Sequence, residues 1–134
     1  MRRISIVPVL LAAVCIVSSV AFAARQTATA TFESLSASGV TGDATLKVMP
    51  QAETQIHVSL RGLDPSVAYV VNLFPDNQTC TTGTSSQPIE SFVANPAGIA
   101  NFTVKVPNPI EQIGSLSVQK QSDQSLQACA AVTQ

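Results

Sequence analysis

From Ala28 to Val132 the apolar residues of this chain recur at every second position, and that period decides what it can fold into. Ala28, Ala30 and Phe32 alternate with Thr29, Thr31 and Glu33. The same rhythm returns at Ala44-Leu46-Val48, Ile56-Val58-Leu60, Tyr69-Val71-Leu73, Ala100-Phe102-Val104-Val106 and Leu116-Val118. Residues 89–93 form a shorter candidate strand, and residues 126–132 close the pattern. Side chains of a strand point alternately to its two faces, so each run has one apolar and one polar face. Turn formers stand between the runs: Gly39 and Gly42, Pro50, Asp64-Pro65, Gly83, Asn95-Pro96 with Gly98, and Pro107 with Pro109. No segment keeps a helical period, and no internal repeat stands out. About eight short strands with turns between them predict an all-β, eight-stranded antiparallel sandwich or barrel.

The first residues read differently. Arg2 and Arg3 precede an apolar run from Ile4 to Val17, and Ala21-Phe22-Ala23 supplies small residues at a cleavage position. This is the layout of a secretory signal peptide over residues 1–23, cut after Ala23 or Ala24, with residues 24–134 as the exported domain. The run is short for a membrane span of about 20 residues, so no span is expected after cleavage. Val14 stands before Cys15, where a lipid-modified cysteine needs a small residue, so Cys15 is read as part of the discarded segment.

Cleavage takes away Arg2 and Arg3, and the formal net charge moves from −1 to −3. No basic run remains, which argues against nucleic acid and anionic lipid as partners. It also leaves two cysteines, Cys80 and Cys129. In an oxidising compartment an even pair is read as a structural disulfide. The rival readings, a thiol nucleophile or a metal pair, lack a histidine nearby. The chain has a single histidine, His57, placed by alternation on a polar face. That makes it a solvated surface residue in preference to a weak metal contact. Asp64, Asp76, Glu90 and Asp123 are spaced singly, and no Gly-x-Ser-x-Gly sequence offers a serine nucleophile. Asn77-Gln78-Thr79 and Asn101-Phe102-Thr103 match glycosylation sequons, which matter only in a eukaryotic secretory host.

One ordered set of residues resembles a known family. Gly62-Leu63-Asp64-Pro65 is followed by Tyr69-Val70-Val71-Asn72-Leu73-Phe74-Pro75-Asp76 and then Cys80. Asn95-Pro96-Ala97-Gly98-Ile99-Ala100, Gly114-Ser115-Leu116-Ser117-Val118, Asp123 and Ala128-Cys129-Ala130-Ala131-Val132 complete it. Over most of residues 28–133 this resembles the copper/zinc superoxide dismutases. The resemblance implies a Greek-key sandwich with a disulfide from a loop to the last strand. The chordin-type repeat of bacterial secreted proteins is similar in the same regions.

The departures from that family bear on function. Matching Phe74-Pro75-Asp76 to the family's Phe-Gly-Asp puts Val70 and Asn72 where the enzymes carry a copper-binding His-x-His pair. Gln119, after Val118, stands where a third copper histidine follows a valine. Only residues 81–88 separate Cys80 from the next apolar run. That stretch is too short for the family's zinc loop and has no His or Asp. Leu126 occupies the position of the arginine that steers superoxide. Copper cycling needs several imidazoles and zinc about four donors, so no metal and no cofactor are expected here. By alternation, Val70, Asn72 and Gln119 point away from the apolar core and form a candidate binding surface bordered by the loop 79–86. The sequence therefore predicts a non-catalytic, exported domain, periplasmic or secreted from a bacterial cell. It would bind an unknown protein or envelope component, or serve a structural role. The alternative is a divergent copper/zinc superoxide dismutase whose ligands are completed by a partner.

Overall fold

The alternating runs become eight antiparallel strands in a computed structural model that describes residues 26–81 and 85–133. The export signal expected at residues 1–23 lies outside the described residues. The strands are β1 (Thr27–Ser34), β2 (Thr41–Met49), β3 (Glu53–Arg61), β4 (Ala68–Phe74), β5 (Gln87–Val93), β6 (Ala100–Val106), β7 (Ser115–Lys120) and β8 (Leu126–Thr133). Pro50–Ala52 and Ile110–Gln112 form single 3-10 turns. No helix among the described residues is long and apolar enough to cross a membrane.

The strands join in the order β5-β4-β7-β8-β1-β2-β3-β6. Chain neighbours β3 and β4 lie far apart in that order, as do β6 and β7, so both connections cross the barrel in Greek-key fashion. The sheet curls until its two ends, β5 and β6, approach each other and nearly close it. Such closure leaves little exposed edge. Phe92 of β5 stacks on Tyr69 at 5.7 Å and meets Phe102 of β6 at 5.0 Å, so an aromatic row bridges the seam.

The alternation is legible in the burial. Ala28, Ala30 and Phe32 are buried while Thr29, Thr31 and Glu33 are exposed. Leu46, Ile56, Val58, Val71, Leu73, Leu116 and Val118 have no exposed surface and fill the interior. Alanines 28, 30, 44, 128 and 130 line the interior of β1, β2 and β8, in the middle of the strand order. Their small side chains leave room for the opposite wall. Leu63 is buried at one end of the barrel, and its N–H donates to Gly98 O at 3.1 Å.

Cys80 and Cys129 form a disulfide that pins the segment after β4 to the middle of β8. Cys80 is buried, and its N–H donates to Ser115 Oγ at 3.3 Å. The bridge spans 49 positions of sequence, and closing a loop of that size contributes about 4 kcal/mol in the chain-entropy picture.

Candidate functional site

The three residues singled out by sequence come together. Val70 on β4 pairs directly with Gln119 on β7, and Asn72 pairs with Ser117 one step along. All three lie on the outer face of the β5-β4-β7 wall, opposite the core residues Tyr69, Val71 and Leu73. On the other side, Val70 pairs with Ser91 and Asn72 with Pro88 of β5. The outer face therefore carries two cross-strand rows, Ser91-Val70-Gln119 and Pro88-Asn72-Ser117.

Two irregularities frame these rows. The β4–β5 register shifts between Val71 and Asn72, leaving Ile89 as an extra residue on β5. The β7–β8 register shifts between Val118 and Gln119, leaving Gln127 extra on β8. Such bulges bend and twist a strand locally and re-aim its side chains.

The face is concave. A pocket of about 330 Å³ is lined by Val70, Asn72, Ser91 and Gln119 and by Ser86 and Pro88. Gln121 and Gln124, from the turn between β7 and β8, complete its wall. Although they point away from the core, Asn72 and Gln119 are each only 7% exposed, and Val70 is half-buried. Polar side chains read as surface by alternation are thus covered, because the neighbouring strands and turn rise around them. Gln119 Nε2 donates to Ser117 Oγ at 3.3 Å. Of the loop 79–86, residues 82–84 lie outside the described residues.

The donor set does not suit the metals that the family resemblance implies. Valine has no donor atom, and the amide oxygens of Asn72 and Gln119 are hard, weak ligands where copper favours imidazole. Among the described residues, no group of three or more His, Cys, Asp or Glu could hold a metal ion. His57 stands on β3 of the opposite wall, exposed, with Nδ1 2.8 Å from Thr103 Oγ1. Leu126, at the matched arginine position, pairs with Gln119.

The single acids do not assemble either. Asp64 and Asp123 each fold a local turn. Asp64 Oδ1 accepts the Ser66 hydroxyl at 2.7 Å and the Ser66 N–H at 2.9 Å. Asp123 Oδ1 accepts the same pair from Ser125 at 2.7 and 3.0 Å. These bonds, the hydroxyl first, hold both carboxyls below their ordinary range. Asp76 accepts from Asn77 Nδ2 at 3.1 Å, and Glu90 lies half-buried on β5. Sequence reasoning missed Ser91, Gln121 and Gln124 as wall residues. The Ile89 bulge hides the alternation of β5, and the two glutamines sit beyond the end of a strand where alternation stops.

No protein-family model matches the chain, and no curated protein matches it. Among solved structures, the chain is similar to a mutant form of superoxide dismutase 5 from Candida albicans. The identity is 14% and the TM-score 0.55, over 81% of this chain and 90% of that one. At that identity the likeness speaks for architecture alone, and it shows that the chain has the superoxide dismutase fold.

Proposed function

We propose that this is an exported, non-catalytic and metal-free domain of the superoxide dismutase fold, acting in the cell envelope as a binding module through its β5-β4-β7 face. One observation carries the reading. The positions matched to copper histidines, Val70, Asn72 and Gln119, meet on one face as a valine and two amides. Together they line a concave surface that carries no charged side chain. The Cys80–Cys129 disulfide supports an oxidising compartment, and the signal-like sequence at residues 1–23 supports export.

The test is metal quantification on oxidised, purified mature protein, coupled to a superoxide assay. Less than stoichiometric metal and an uncatalysed rate are expected. One copper or zinc per chain, removable by chelator together with dismutase activity, would overturn the reading in favour of a divergent enzyme. Cell fractionation with N-terminal mass analysis checks export, for which a chain beginning at Ala24 or Arg25 outside the cytoplasm is expected.

A further inference from the structure

We infer that the pocket over Val70, Asn72 and Gln119 is a binding site for a small uncharged saccharide, of one or two pyranose rings. The inference rests on the binding reading above and names the ligand class of that same face.

The first ground is a pair of side-chain amides with hydrogen-bonding capacity left free toward the pocket. Asn72 is more than nine-tenths buried and lines the pocket, and its side-chain amide has no hydrogen-bond partner among the described residues. Gln119 is buried to the same degree. Its Nε2 reaches Ser117 Oγ, and its Oε1 has no partner there either. These unpaired amide atoms are not sealed in, since the buried side-chain atom without a partner among the described residues is Asn108 Oδ1, elsewhere. They open to solvent at the pocket, where a ligand's hydroxyls can take the place of water.

The second ground is the chemistry of the wall. No titratable side chain lines the pocket, so an ion entering it would lose hydration with no opposite charge to meet. Side-chain amides and the hydroxyls of Ser86 and Ser91 each both donate and accept. They match a ligand whose own groups do both, as sugar hydroxyls do. Val70 and Pro88 add apolar surface against which the C–H face of a pyranose can pack. The volume sits near the lower limit of small-molecule sites, about 300 Å³, which suits one or two rings.

A peptide fits less well. Extended peptides are read mainly through backbone pairing at a free strand edge. The central strand of this site is already paired on both sides, Val70 with Ser91 and with Gln119.

The test is two-dimensional NMR of the oxidised mature protein titrated with glucose, galactose, N-acetylglucosamine and maltose to about 20 mM, a range that reaches weak, millimolar binding. At least one sugar should give saturable shifts centred on Val70, Asn72, Ser91 and Gln119. Ser91→Trp, which fills the pocket from an exposed position, should weaken that binding about tenfold or more. Gln124→Ala, in the exposed turn, should weaken it in a background where folding is not at risk. Thr29→Ala on another wall should leave it unchanged. The absence of saturable shifts with every sugar would overturn the inference, as would shifts indifferent to both pocket variants. A capped tripeptide that moves these resonances when no sugar does would overturn the saccharide and spare the binding reading. Stoichiometric Cu²⁺ seated on the same resonances would overturn both.

Discussion

Phe92 and Phe102 stand on the two end strands of the sheet, and their rings lie 5.0 Å apart. The seam that hydrogen bonds leave open is thus held by ring contacts, with Tyr69 stacked behind Phe92. Phe92→Ala removes both contacts. It should destabilise the fold by about 2–4 kcal/mol, given the usual cost of truncating a packed phenylalanine. Urea unfolding checks the value. Hydrogen exchange should also quicken in β5 and β6 before the rest of the barrel.

The disulfide gives a second expectation. Cys129→Ser frees the segment after β4 and should lower stability by about 2–5 kcal/mol. Chemical denaturation of the variant, compared with the native protein with and without reductant, measures it. Reduction should bring the native protein close to the variant.

Gly98 turns the chain from β5 to β6 with φ +76, and a Cβ there would meet Leu63 O at 2.6 Å. Both the backbone conformation and the space refuse a side chain. Gly98→Ala should cost about 1–3 kcal/mol, read as a lowered denaturation midpoint with an unchanged slope.

The Asp64 and Asp123 turns give the protein an acid limb. Both carboxyls titrate below their ordinary range in the folded state, because each accepts a serine hydroxyl and a serine N–H. A depressed folded pKa means that the unfolded chain takes up the proton first. The contribution is therefore present at neutral pH and is lost as pH falls below about 4 and through the folded value. Thermal melts across that range should show Tm falling on the acid side. Asp123→Asn should flatten part of the fall while leaving the neutral limb parallel. Carboxyl-carbon NMR titration reports the two values directly.

The outer face offers a constructive experiment. Placing histidine at Val70, Asn72 and Gln119 puts two imidazoles two residues apart on β4 and a third on β7, directly opposite the first. The triple variant should gain copper binding, detectable by isothermal titration. Failure to bind copper in a variant with native circular dichroism would show that the bulged strands no longer hold copper-site geometry.

The strands were legible because the apolar residues keep a period of two, which burial follows most cleanly in β1, β2, β3 and β6. Phe32, Val58 and Leu73 are inward where alternation puts them. The same rule set Val70, Asn72 and Gln119 on one face. It did not reveal that Asn72 and Gln119 are covered, since cover comes from β5 and the β7–β8 turn, which are remote in sequence. Nor did it reveal the bulges at Ile89 and Gln127, because an extra residue in a ladder is a property of two strands together. His57 could be placed on a polar face, but its partner Thr103, 46 residues away, depends on the β3–β6 pairing.

Strand β8 pairs with β7 on one side and β1 on the other, and it carries Cys129 as well. Among the described residues it is the hydrogen-bonded link between the β5-β4-β7 group and the β1-β2-β3-β6 group. Loosening β8 would therefore part the barrel into two sheets, each with a newly bare edge, where loosening β5 or β6 would only fray one end.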